Sequence, residues 1–178
     1  DVSRIEACEE VALEFALQAL KHDPDGIEMS YFNRTHGRKN LTSESDIIQF
    51  YEKIEKKIQS GTKFAPLLHR IASDFKRKYK KEGTRKVVMV FTDGVISDMK
   101  DVEQEIKDLA NWNGMKTHFE FGLLFVYAGK SEKGKARVKR LDDDLKEIGV
   151  KHDIVDAKSV KWVMENGLAK AVHEAFLD

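Results

Sequence analysis

The chain has 178 residues, enough for one domain with a sizeable core and too few for two ordinary ones. Lysine plus arginine equals aspartate plus glutamate at 31 each, so no global field draws the protein to nucleic acid or to an acidic membrane surface. A single cysteine, Cys8, excludes an internal disulfide, no apolar run approaches the roughly 20 residues of a bilayer span, and no signal peptide heads the sequence, so a soluble, reducing, cytoplasmic setting is expected.

Residues 4–21 keep helical spacing in Ile5, Cys8, Val11, Ala12, Phe15, Ala16, Ala19 and Leu20, with Glu6, Glu9, Glu10 and Glu14 left mostly to solvent. On that face Cys8 reads as a small core residue rather than a nucleophile. Asp23-Pro24-Asp25-Gly26 is a turn, because proline presets one dihedral and glycine supplies a positive one. A strand over 27–33 follows, then a polar stretch over 34–41 that reads as an edge strand or a loop. Ser43 or Ser45 can cap a helix running to about residue 59 with Ile47, Tyr51, Ile54 and Ile58 on one side. Pro66 then marks a helix start, and Leu67, Leu68, Ile71, Ala72, Phe75 and Tyr79 share its apolar face. Thr62 therefore sits in a tight loop just ahead of a helix amino terminus.

The apolar run Val87, Val88, Met89, Val90 and Phe91 predicts a strand buried on both faces, stopping abruptly at Thr92-Asp93-Gly94. Asp98 is placed to cap the next helix, which carries Val102, Ile106, Leu109 and Ala110 and closes at Gly114. A second apolar strand is expected over 118–127. After a lysine-rich connection comes a helix bearing Val138, Leu141, Leu145 and Ile148, stopped by Gly149, then a short strand over 152–156 and a closing helix over 160–177.

Alternation of buried strands with helices predicts an α/β fold, a doubly wound, mostly parallel sheet with helices on both faces, forming one domain over 1–178. The first helix has a rich apolar face and no strand before it; either the first strand is missing from the chain and lies upstream of residue 1, or the fold is built differently. Polar residues at the carboxyl end of a parallel strand face the crevice where such folds bind ligands, which makes Asp93 a site candidate.

A helix running into Asp-Pro-Asp-Gly, a strand ending Tyr-Phe-Asn, Gly-Thr-x-x-Ala-Pro opening a helix, and Val-Val-Met-Val-Phe-Thr-Asp-Gly together resemble the von Willebrand factor type A (vWA) domain, in particular the intracellular, tellurium-resistance-associated kind. The resemblance implies a metal-ion-dependent adhesion site at the carboxyl edge of the sheet. Its aspartate corresponds to Asp93 and its threonine to Thr62. Of the Asp-x-Ser-x-Ser motif only Asp1 and Ser3 match, Ile5 standing where the second serine belongs. The implied ion is magnesium, or else manganese or calcium, and the implied partner is a protein that supplies an aspartate or glutamate carboxylate. Magnesium and manganese want about six oxygen ligands, so two hydroxyls and one or two carboxylates leave room for a carboxylate from outside. This is recognition rather than catalysis, since no general base or nucleophile accompanies the cluster.

Plainer readings stand beside these. Asp93 before Gly94 also suits a strand-end turn, Thr62 a helix-entry hydroxyl, and Asp1 with Ser3 a frayed terminus. His22, His36, His69, His118, His152 and His173 lack metal-ligand spacing, and Trp112 and Trp162 fall at packing positions. The basic residues between Lys76 and Lys86 crowd a helix carboxyl end, where they favour the helix dipole, and lack interleaved stacking aromatics. Dinucleotide, P-loop and nucleophile-elbow motifs are absent, and Val95 stands where a phosphoryl-transfer aspartate would want a second carboxylate. The competing functions are a metal-free scaffold and, less favoured, a metal-dependent hydrolase.

Overall fold

The structure is a computed structural model that describes residues 2–23, 25–32, 36–55, 62–128, 132–147 and 149–174. Helix α1 spans Val2–His22 and strand β1 spans Ile27–Phe32. The polar stretch beyond is a strand after all: β2, His36–Leu41, pairs antiparallel with β1, Ile27 lying opposite Leu41 and Phe32 opposite His36. Helix α2, Glu44–Glu55, starts at the expected serine, since the Ser43 hydroxyl accepts the Asp46 N–H at 3.1 Å. Then follow α3 (Ala65–Glu82), β3 (Lys86–Thr92), α4 (Met99–Ala110), β4 (Phe121–Tyr127), α5 (Glu132–Glu147), β5 (Val155–Ser159), α6 (Val160–Asn166) and α7 (Leu168–Glu174).

Strands β3, β4 and β5 form a parallel sheet in that order, and every residue of the central β4 is buried. The period of two divides its side chains between two cores. Phe121, Leu123, Phe125 and Tyr127 pack with Phe64, Leu68 and Phe75 around α3, with Val102, Ile106 and Leu109 of α4, and with Val138, Leu141 and Leu145 of α5. Leu124 and Val126 meet Val11 and Phe15 of α1, Val160 and Val163 of α6 and Ala171 of α7. Each fully buried Leu or Phe contributes roughly 2 kcal/mol, so β4 with its two helical covers is the main stabilising unit.

The mixed α/β class holds, with a three-stranded parallel sheet and a two-stranded antiparallel one among the described residues. The run Val87–Phe91 is not buried on both faces: Val87 is 38 % exposed and only Val90 of the five is fully buried, because among the described residues β3 has a strand neighbour on one side only. The apolar stretch at 118–127 begins with a 3-10 turn, His118–Glu120, so the strand starts at Phe121. The short strand lies three residues later than expected, its polar residues held by Lys158, whose ammonium meets Asp156 at 3.1 Å and Glu174 at 3.4 Å. Helix α4 ends at Ala110 rather than at Gly114, which lies against the Trp112 ring, where a Cβ would sit about 2.1 Å from Cζ2. The closing helix is broken by Gly167, whose φ of 83° no helix accommodates.

Candidate functional site

Two loops meet at the carboxyl end of β3. Leaving the strand, the buried Thr92 hydroxyl accepts the Gly94 N–H at 3.1 Å, and Asp93 Oδ1 accepts the Val95 N–H at 2.9 Å. These two short bonds fold the chain sharply. Gly94, with φ 85°, passes so close to α5 that an added Cβ would stand 2.8 Å from Gly134 Cα. Ile96 then drops into the core at 1 % exposure, fixing the far side of the loop.

The second loop carries Thr62. Its carbonyl accepts both the Ser97 N–H at 2.8 Å and the Ser97 hydroxyl at 2.6 Å. Asp98 binds the same loop more firmly. Its Oδ1 accepts the Phe64 N–H at 2.9 Å and its Oδ2 the Ala65 N–H at 3.1 Å, so one carboxylate closes the amino terminus of α3. This corrects the expectation that Asp98 caps the helix following it, because its side chain makes no cap bond to α4. Only its carbonyl serves α4, accepting from Asp101 and Val102.

The structure thus brings together the loops of two expected site residues, Thr62 and Asp93, at one end of one sheet. Asp93 is exposed and Thr62 half-buried. Ser3 belongs to the first turn of α1, and neither its side chain nor Asp1 is among the described parts of the chain. Among the described residues no group of three or more His, Cys, Asp and Glu is gathered to hold a metal. A hydroxyl and a carboxylate are hard oxygen donors and suit magnesium, manganese or calcium in kind; in number they fall short of six and require water or an outside carboxylate.

Ser97 and Asp98 are what the sequence reading missed as organisers of this site. A signal was there: α3 has Phe64 at its cap position, a residue unable to accept a backbone N–H, so the helix had to borrow an acceptor from elsewhere. Nearby, burial and repulsion from Glu132 push the Tyr127 hydroxyl above its ordinary pKa against the opposing pull of Lys158.

A parallel layer covered on both sides, with oxygen-bearing loops at its carboxyl edge, fits a vWA-like domain, a class of protein-interaction module, and the family match supports that class. The family model for the copines, a vWA-like family, matches residues 19–170, and the chain belongs to the copine family. That match carries no kinship with tellurium-resistance-associated domains in particular. No curated protein and no solved structure matches the chain. No helix among the described residues is long and apolar enough to cross a membrane.

Proposed function

We propose that this copine-type domain binds a protein partner through a divalent cation, with Asp93 and Thr62 as protein ligands and an aspartate or glutamate of the partner completing the shell. The observation that carries the reading is the direct hydrogen bonding of the Thr62 loop to the segment after Asp93. Asp93 uses Oδ1 within its own turn, so Oδ2 is the oxygen to offer a cation. Asp1 and Ser3 would join the ligand set if the α1 amino terminus approaches these loops. Magnesium is the preferred ion, then manganese or calcium, for which oxygen donors are chemically suited. The ion would act as a bridge between carboxylates of two proteins, with no bond made or broken. Doubly wound topology, a cytoplasmic setting and the absence of nucleic-acid and membrane partners belong to the same reading.

Titration calorimetry with magnesium and then manganese tests it. The parent should give saturable heat, and Asp93→Asn, which keeps an Oδ1 for the Val95 N–H and removes the charge, should lower affinity at least about tenfold while the circular dichroism and urea midpoint stay put. Equal heat from both proteins removes Asp93 from the site. A second reading, the metal-free scaffold, draws on the Ser97 and Asp98 bonds that knit the loops with protein atoms alone. Its signature is a silent titration with an intact fold.

A further inference from the structure

Helix α5 carries its charge in the order that its own dipole disfavours. The first half holds Lys133, Lys135, Arg137, Lys139 and Arg140 against the single carboxylate of Glu132, and Asp142, Asp143 and Asp144 crowd the second half. A helix amino terminus bears partial positive charge and its carboxyl terminus partial negative charge, so both halves work against the helix. Helix α3 shows the ordinary arrangement, with Lys80 and Lys81 in its last turn. Neighbours do not compensate α5. Lys133, Arg137 and Lys139 are exposed and Lys135 is half-buried, and among the described residues none of these four has an ion pair. Arg140 differs, its Nε standing 2.5 Å from Asp144 Oδ2.

These cations stand beside the candidate ion site. Gly134 lies between Lys133 and Lys135, and there α5 meets the Asp93 loop: a Cβ on Gly134 would be 3.1 Å from the Asp93 carbonyl oxygen and 3.2 Å from Gly94 Cα. Lys63, also exposed, directly follows Thr62. Resting on the reading of Asp93 and Thr62 as ion ligands, we propose that the amino-terminal half of α5 is the docking face for an acidic segment of the protein partner. One carboxylate of that segment reaches the ion, and those after it lie along Lys133, Lys135 and Arg137. Lys133 to Arg140 covers about 10 Å of helix axis, the reach of about three extended residues, so a run of about four or five acidic residues suffices. Two observations favour the carboxylates of a protein over the phosphates of a nucleic acid or a lipid. The chain has no net charge to draw a duplex or an anionic membrane, and α5 has no aromatic residue on which a base could stack.

Fluorescence anisotropy with a labelled oligoglutamate peptide in magnesium, beside its glutamine counterpart, tests this. The chain with Lys133→Gln, Lys135→Gln and Arg137→Gln combined should bind the glutamate peptide at least about tenfold more weakly, since each exposed pair is worth about twofold to fivefold. Its magnesium heat should match the parent's, and its urea midpoint should stand level or higher, because the clash with the helix dipole is relieved. Added salt should weaken peptide binding more in the parent than in the variant. Equal peptide affinity in the two proteins overturns the proposal, as does a lowered midpoint, which would show that the cations serve the fold. A thymidine oligonucleotide of equal charge, or phosphatidylserine vesicles, binding more tightly than the peptide would also overturn it. A silent magnesium titration beside a peptide that still needs the three cations would sink the ion bridge alone and leave α5 as the docking face.

Discussion

Removing the Asp98 carboxylate tests whether α3 is held from across the site. Asp98→Ala takes away both acceptors of the Phe64 and Ala65 N–H groups, bonds of 2.9 and 3.1 Å at the head of an 18-residue helix that has no cap of its own. Losing a helix cap costs about 1 kcal/mol, and losing a negative charge at a partly buried helix amino terminus costs about 1 more. The two donors are part-buried, so water repairs the loss only partly, and a total of about 2–3 kcal/mol follows. In a chain of this size that lowers Tm by about 5–10 °C. Urea unfolding followed by tryptophan fluorescence gives the number directly, since Trp112 packs 6.0 Å from Phe75 of α3. Asp98→Asn retains one good acceptor without the charge and should lose about half as much. If Asp98→Ala matches the parent to within about 0.5 kcal/mol, the carboxylate does not hold the helix and the account of the site's rigidity fails.

Gly94→Ala should destabilise by about 3 kcal/mol, combining a positive φ of 85° with a Cβ driven against the Gly134 backbone; an unchanged urea midpoint would show that α5 yields freely there. Alkali should weaken the fold. Burial lowers the Lys158 pKa, but Asp156 and Glu174 outweigh it and the net shift is upward, while burial and Glu132 raise Tyr127. Groups raised in the folded state stabilise it fully below their ordinary values of 10.5 and 10.0, and that stability is lost as pH climbs through the raised ones. Stability measured from pH 8 to pH 12 should therefore fall above about pH 10, and Lys158→Met should flatten part of that fall; an equally steep loss in the variant would remove Lys158 as a contributor.

Much of the fold was legible because apolar periodicity reports directly on burial. The run Phe121–Tyr127 has apolar residues on both faces, and both faces are covered. The same logic misjudged Val87–Phe91, since composition shows what a strand can bury and not which strands stand beside it. Positive-φ glycines were legible when they ended a pattern, as Gly26 does after α1, and illegible when the pattern ran on, as at Gly167. For the site, Thr62 and Asp93 were visible as polar punctuation beside a helix start and a strand end. The role of Asp98 was not visible, because a capping residue's place in the chain marks the nearest helix and not the one whose N–H groups it reaches, 33 and 34 residues away.

The division of labour among these residues explains why binding and folding should respond to different substitutions. Ser97, Asp98, Gly94 and the Asp93 Oδ1 bond fix the two loops, each through contacts to backbone. Among the described residues none of those contacts uses the Thr62 hydroxyl or Asp93 Oδ2, so the groups best suited to an external ion are also those the fold least requires. Under the proposed reading, loops held by such bonds keep their backbone spacing before any ligand arrives, and that part of the ordering cost falls on folding rather than on binding. Substitution at Asp98 should consequently damage stability and recognition together, whereas Asp93→Asn, which keeps the Oδ1 bond and replaces Oδ2, should separate them.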